Sequence, residues 1–317
     1  MIRVNVHVSL TGCSAQREHR TDQTSGEIRA QDEACREIAR SHGRSFYLAS
    51  QLLSSEQRSA IHAVYAFCRI ADDIVDHADA SDPASAEREL DAWKHQLVVP
   101  RNPVAIAFER ARDQYGIPLE PALELIDGVR GDLRPRRYQT WSELAGYCHA
   151  VAGTVGSLTA PVLGCRDDAA LRHADALGMA MQLTNIVRDV AEDAEAGRLY
   201  LPIDEIEAFG CDPESILAGT PAGDFPGLIR LQIDRARELY RIGLQGVPAL
   251  DGNGRLATLA AARFYAGILT ELERANCDPF RGRARVSTPR KLMHVPGLLV
   301  DFAQTFRNPW SGYGSPA

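Results

Sequence analysis

Two runs of oxygen-bearing side chains could do chemistry that the rest of the chain could not. The first is Arg69-Ile70-Ala71-Asp72-Asp73-Ile74-Val75-Asp76, which follows the apolar stretch from Ala60 to Cys68. Asp72 and Asp76 are four apart, so in a helix they share one face, a turn from each other. Neighbouring carboxylates repel, and a cation should compensate them. A hard divalent ion fits: Mg²⁺, or Mn²⁺ in its place, takes one or two carboxylates and completes its octahedron with water and phosphate oxygens. A solvated acidic patch with Arg69 as an intrahelical partner would leave the same trace.

The second run is Gln182-Leu183-Thr184-Asn185-Ile186-Val187-Arg188-Asp189-Val190-Ala191-Glu192-Asp193. Asn185, Asp189 and Asp193 stack along one helical stripe, Gln182 extends it toward the N-terminus, and Arg188 and Glu192 lie beside it. Ala176, Leu177, Met179, Ala180 and Met181 make the preceding turns apolar nearly all round, so this helix should be central and its stripe should face a cavity. Two acidic stripes on separate helices of one bundle suggest a shared site, with carboxylates facing across a gap and bridged through metal to a polyanion. Unpaired, so much buried negative charge would be strongly destabilising. Arg69, Arg188, Arg198 and Tyr200 are then candidates for holding a diphosphate, since a guanidinium fork matches phosphate oxygens.

The elements that must position these groups are helices. From about Asp32 onward apolar residues recur at three- and four-residue spacing, so the fold should be nearly all α. The spacing predicts helices over 32–51 (broken near Gly43), 55–79, 83–98, 102–114, 119–132, 141–164, 168–195, 222–245, 254–277 and 288–305, with 210–227 a loop or short helical turn. No Pro-, Gly- or Ser-rich linker divides them, so one domain over 31–305 is expected, with a disordered tail over 1–30 and a C-terminal tail over 306–317. Leu10-Thr11-Gly12-Cys13 looks like a lipoprotein box, but the stretch ahead of it is too short and too polar for a signal peptide.

Composition narrows the function classes. The net charge of -7 comes with acidic and basic residues mixed along the 317-residue chain, which argues against nucleic acid as a partner. Seven cysteines without a C-x-x-C pair suggest neither a disulfide framework nor a zinc site, and point to reduced thiols in a cytoplasmic protein. No run approaches eighteen apolar residues. Gly252-Asn253-Gly254-Arg255-Leu256-Ala257 matches a G-x-G-x-x-A fingerprint but follows no strand, so it reads as a helix-opening turn and no NADPH is expected.

Several motifs stand in the order and spacing of a known family. These are Ser45-Phe46-Tyr47 with Leu52-Leu53, Tyr65-Ala66-Phe67-Cys68-Arg69 leading into Asp72 to Asp76, Tyr147-Cys148 leading into Val151-Ala152-Gly153-Thr154-Val155-Gly156, and Gln182 to Asp193 continuing into Gly197-Arg198-Leu199-Tyr200-Leu201-Pro202. Over His42 to Leu292 the sequence resembles the squalene and phytoene synthases. The resemblance implies an all-α, single-domain helical bundle of the isoprenoid (trans-prenyltransferase) synthase type around a central apolar cavity. It implies Mg²⁺ on Asp72 and Asp76 on one side and on Asn185, Asp189 and Asp193 on the other. Tyr65, Arg69, Tyr147, Gln182, Arg188, Arg198 and Tyr200 would contact diphosphates or reacting carbons, and Ser45, Phe46, Ala152, Gly153 and Gly156 would border the prenyl tunnels. Gly128-Val129-Arg130-Gly131-Asp132 departs from the more acidic Gly-Met-x-x-Asp of many relatives, and Asp132 receives no catalytic role.

The implied reaction joins two isoprenoid diphosphates head to head. Val151 to Gly156 and the late Arg283-Ala284-Arg285-Val286-Ser287 with Arg290-Lys291-Leu292 look most like bacterial phytoene synthases. That similarity implies two geranylgeranyl diphosphates condensing, via the cyclopropylcarbinyl prephytoene diphosphate, to phytoene in carotenoid biosynthesis, with two diphosphates released. A relative using C15 substrates, making presqualene diphosphate, dehydrosqualene or squalene, is the alternative, and a non-catalytic assembly or binding member is a second. Ser50, small and one turn past Phe46, could deepen a tunnel for the longer chain. An amphiphilic substrate and an apolar product also suggest transient docking at the inner membrane surface and hand-off to a downstream desaturase.

Overall fold

Helix starts in this chain are written by short acceptors. Ser54 Oγ accepts from the Gln57 N–H at 3.2 Å, Asp167 Oδ1 from Ala169 at 2.8 Å, and Asp251 Oδ1 from Gly254 at 2.6 Å. Each satisfies an orphan donor of a first helical turn. Asp251 thereby opens a helix at Gly252, so the glycine-rich stretch is a helix-opening turn, as its sequence context predicts.

The computed structural model describes residues 12–79, 82–134, 136–287 and 295–307. Among them every regular element is helical: α1 Gly12–His42, α2 Arg44–Ser50, α3 Ser55–Asp76, α4 Pro83–His95, α5 Pro103–Tyr115, α6 Glu120–Val129, α7 Trp141–Cys148, α8 Thr154–Thr159, α9 Asp168–Glu195, α10 Ile203–Ala208, α11 Pro213–Leu217, α12 Phe225–Leu244, α13 Gly252–Arg274 and α14 Val295–Arg307. The all-α expectation holds.

The helices bury two large apolar clusters. One joins α3, α4, α5 and α6 around Phe67, Trp93, Phe108 and Leu125, with Phe67 and Phe108 stacked at 4.3 Å. The other joins α7, α9, α12 and α13 around Leu183, Val187, Ile229 and Leu269. Val151 packs against both clusters, which places the segment after α7 on the boundary between them. The described cysteine side chains, Cys35, Cys68, Cys148, Cys165, Cys211 and Cys277, are buried as free thiols, as small apolar groups often are.

Several boundaries differ from the sequence expectation. Helix α1 reaches back to Gly12, into the stretch read as tail, because a helix anchored by the packing of Cys35 and Ala39 propagates at little cost through polar residues. The span 119–132 is α-helical only to Val129 and tightens to a 3₁₀ turn over Arg130–Leu133. The span 141–164 is interrupted by a π-helical turn over His149–Gly153 and ends at Thr159. The short helix α10 is not anticipated because it is too brief to show a period, whereas α11 falls within 210–227, where a loop or short helical turn is expected. Residues 1–11, 288–294 (with Arg290, Lys291 and Leu292) and 308–317 lie outside the described residues.

Helix α9 approaches α8 and the π turn closely enough to require glycine. A Cβ on Gly178 would lie 2.1 Å from the Ala152 carbonyl oxygen, and one on Gly156 2.2 Å from that of Ala174. Both obstacles are backbone and cannot swing aside. Gly178→Ala should therefore destabilise the protein by about 2–3 kcal/mol, as overpacking does. Urea unfolding checks it, and an unchanged midpoint would contradict the close approach.

Candidate active site

Between the two clusters lies a cavity of about 690 Å³ whose polar end is built by α3, α9 and the turn after α9. Asp72, Asp76 and Arg69 enter from α3, and Gln182, Asn185, Arg188, Asp189 and Asp193 from α9. Arg198 and Tyr200 follow α9, and Tyr147 comes from α7. Phe46, Tyr65, Ala152 and Gly156 line the same space. The structure thus brings together the two stripes that the spacing predicts. Ser45, half-buried at the start of α2, and Gly153, in the turn after α7, are expected at the tunnels but do not line the cavity, and Asp73 also lies outside it.

Arginines hold the carboxylates together. Arg69 donates to Asp73 at 2.5 Å and approaches Asp76 at 3.7 Å. Arg198 spans the gap between the stripes, 3.2 Å from Asp76 and 3.8 Å from Asp193. Arg188 forks onto both oxygens of Asp189 at 2.7 and 2.5 Å. Arg283, from the loop after α13, reaches Asp189 at 3.0 Å and Glu192 at 3.0 Å.

Burial still leaves the carboxylates under strain. Removal from water, with Arg69 opposing and Asp76, Asp73 and Asp132 adding repulsion, pushes Asp72 up to about 7. Burial likewise raises Asp193 to about 7, against Arg198 and with the help of Asp189, Asp132 and Glu192. Asp132 is raised to about 6 by burial, although the Tyr147 hydroxyl donates to its Oδ2 at 2.7 Å and Arg198 and Arg136 pull the other way. Tyr147 itself is driven well above the usual phenol range by burial and by Asp132.

Three buried polar atoms here lack any hydrogen-bond partner: Asn185 Oδ1, Arg69 Nε and Arg198 Nε. An acceptor without a donor and donors without an acceptor, on residues lining one cavity, are what a cation and a polyanion would satisfy together. Among the described residues no three His, Cys, Asp or Glu side chains group closely enough to cage an ion alone. That suits Mg²⁺, which draws on one or two carboxylates, water and substrate phosphate. The donor set fits it.

Residues 39–290 match the model of the squalene/phytoene synthase family. The chain belongs to that family. Its relatives include the phytoene synthase of Arthrospira platensis, 38% identical over 83% of this chain and 91% of the other. The chloroplastic phytoene synthase 3 of Zea mays is 36% identical over 86% of this chain, which spans 66% of the maize protein, just under two thirds. Among solved structures, a dehydrosqualene synthase in complex with ligand superposes with a TM-score of 0.79 at 29% identity, covering 89% of this chain and 99% of that one.

Within this squalene/phytoene synthase cavity, sequence reasoning missed three residues. Asp132 was set aside, yet the 3₁₀ turn at Arg130–Leu133 delivers its carboxylate to Tyr147. Arg283 was read only as a mark of similarity, and its contact with Asp189 crosses 94 positions of chain. Tyr265 lines the cavity from α13, with burial raising its pKa and Arg188 opposing. Only the departure at Gly128 to Asp132 gave any signal.

The raised carboxylates have a consequence for ion binding. Without a cation beside them, Asp72 and Asp193 keep their protons to about pH 7, well above an unfolded aspartate. The stability tied to that protonation is complete below about pH 4 and is lost as pH rises through about 7. Mg²⁺ needs the deprotonated forms. Added Mg²⁺ with inorganic diphosphate should therefore raise the melting temperature more at pH 8 than at pH 6, and an equal or reversed shift would contradict the assignment.

Proposed function

We propose that this protein condenses two molecules of geranylgeranyl diphosphate head to head into phytoene, using Mg²⁺ held by Asp72 and Asp76 on α3 and by Asn185, Asp189 and Asp193 on α9. The observation that carries the reading is the set of buried atoms without a hydrogen bond, Asn185 Oδ1, Arg69 Nε and Arg198 Nε, on residues that line one cavity with the two acidic stripes. Bound Mg²⁺ would neutralise charge on the departing diphosphate.

The chain's own groups account for the rest. Arg69, Arg188, Arg198 and Arg283 exchange their carboxylate contacts for diphosphate oxygens and hold the leaving group in place. The C–O bond of one substrate breaks with its electron pair on diphosphate, leaving an allylic cation. The double bond of the second substrate attacks that cation, and loss of a proton closes a cyclopropane ring. A second ionisation, rearrangement and proton loss release the C40 hydrocarbon and the second diphosphate, so no reductant is consumed. Val151, Val155, Leu163 and Leu177 exclude water that would otherwise capture the cations. Tyr147 keeps its proton and donates it in a hydrogen bond to Asp132, which fixes the phenol at the cavity wall.

Chain length follows from the apolar end. Ser50 lines the cavity there, donates to the Tyr47 carbonyl at 2.8 Å and meets His62 Nε2 at 2.8 Å. Burial, with the charges of Arg58 and Arg36 adding to it, lowers His62 to about 4, so the imidazole that meets Ser50 is neutral at pH 7. Phe46 stacks on Tyr65 at 4.7 Å beside it. Five further carbons buried there are worth about 4 kcal/mol at ~0.8 kcal/mol per methylene, enough to prefer C20 over C15.

Phytoene has no polar group and cannot leave through water. Leu48 on α2, Leu52 in the turn after it, and Leu299, Val300 and Phe306 on α14 are exposed, and among the described residues no helix is long and apolar enough to cross a membrane. Peripheral contact at the cytoplasmic face of the inner membrane, with hand-off to a desaturase, is part of the proposal.

Purified protein given Mg²⁺ and geranylgeranyl diphosphate without NADPH should yield phytoene by mass spectrometry. Recovery of C30 hydrocarbon alone from a mixed C15 and C20 pool would favour the dehydrosqualene-type reading and sink the phytoene one. Asp72→Ala and Asp189→Ala should each cut turnover at least about a hundredfold while the protein stays folded. Ser50→Phe should shift the products toward C30, and an unchanged product ratio would remove Ser50 from the tunnel.

A further inference from the structure

The cavity wall that follows Tyr147 depends on one extra residue. Residues lining the cavity after Tyr147 come in pairs: Val151 with Ala152, Val155 with Gly156, Thr159 with Ala160. At 3.6 residues per turn, an unbroken α-helix from Tyr147 would instead bring residues 154 and 158 to that face. Thr154 and Leu158 are only 1% and 0% exposed and neither lines the cavity; Leu158 packs into the cluster built on α3, α5 and α6. The π turn over His149–Gly153 makes the difference, because one more residue per turn advances the inward face by one position.

His149 is fixed at both its backbone and its side chain. Its carbonyl accepts the wide hydrogen bond from the Thr154 N–H that defines the π turn. Its Nδ1 meets Asp175 Oδ1 on α9 at 2.5 Å, and its Nε2 lies 3.1 Å from Glu124 on α6. Partial burial works against a charge on the ring, but the Asp175 hydrogen bond and charge, with Glu124 beyond, outweigh it and raise the imidazole pKa. Gly153 leaves room for this clasp: a Cβ there would fall 1.8 Å from Asp175 Oδ1 and 3.0 Å from His149 Nδ1.

We propose that His149 is a positioning residue for the condensation: clasped between Asp175 and Glu124, it holds the π turn that sets Tyr147 and the Ala152–Gly156 wall in one register around the reacting chains. The proposal rests on the condensation reading above. His149 does not line the cavity, so its effect reaches the reaction only through the placement of Tyr147 and of that wall. The arginines that would hold diphosphate pair with Asp73, Asp76, Asp189, Asp193 and Glu192, not with the clasp, so early binding should be spared. The steps that need a tightly shaped apolar wall, after the first carbon–carbon bond forms, are the ones exposed to a slip.

The test compares His149→Ala, Asp175→Asn and the double variant with the wild type, in Mg²⁺ and geranylgeranyl diphosphate. It measures thermal midpoint, kcat, KM and the fraction of product released as the cyclopropylcarbinyl diphosphate. A misplacement on the order of 1 Å can cost up to about a hundredfold in rate. Each single variant should stay folded, keep KM within about threefold, lose at least about tenfold in kcat and release more of the intermediate. The double variant should be no worse than either single one, because both break the same clasp. Wild-type kcat and product partition in the single variants, or an additive double variant, would overturn the proposal. Should His149→Ala fail to fold, Asp175→Asn and His149→Gln carry the same reading. A wild-type protein that makes no hydrocarbon would instead remove the condensation reading itself.

Discussion

Charge that water no longer stabilises is the constraint on which this structure turns. Five oxygen-bearing side chains from α3 and α9, Asp72, Asp76, Asn185, Asp189 and Asp193, border one cavity in a bundle that is otherwise apolar. Arginines from α3, from α9 and from the segments after α9 and α13 gather on them. The protein's own groups do not satisfy one another fully: two carboxylates are pushed to about 7, and an amide oxygen and two guanidinium N–H groups make no hydrogen bond. Each defect is of the sign that a metal–diphosphate complex corrects. A site built only for stability would pair these groups with one another.

The rest of the fold supports that polar end by keeping the remainder of the cavity dry. Small residues let the helix backbones approach to contact, and Gly156 serves twice, lining the cavity and admitting the Ala174 carbonyl. Gly153 is different. It was expected at a tunnel wall, but it does not line the cavity, and its missing side chain makes room for the Asp175 carboxylate instead. The family's small-residue stretch therefore combines tunnel space with close packing.

What was legible in the sequence was what helical periodicity encodes. Asp72 with Asp76, and Asn185 with Asp189 and Asp193, announce shared faces by four-residue spacing, and the apolar turns before Asn185 announce that its helix is central. The partners supplied from elsewhere in the chain were not legible. Arg283 meets Asp189 across 94 positions, and Asp132 reaches Tyr147 only because α6 tightens to a 3₁₀ turn. The π turn left no mark either, since its one added residue needs no proline and changes only which carbonyl a single N–H selects. Short helices such as α10 and the backward extension of α1 escaped for a related reason: neither displays an apolar period long enough to read.

The account stands on the two stripes sharing one metal-bridged diphosphate. The most direct measurement is anomalous diffraction from crystals soaked with Mn²⁺ and an unreactive thiodiphosphate analogue of the C20 substrate. Manganese peaks between Asp72 and Asp76 on one side and Asn185, Asp189 and Asp193 on the other, bridged by the diphosphate, are the result expected. Ions bound elsewhere, or a diphosphate that contacts only one of the two helices, would contradict it.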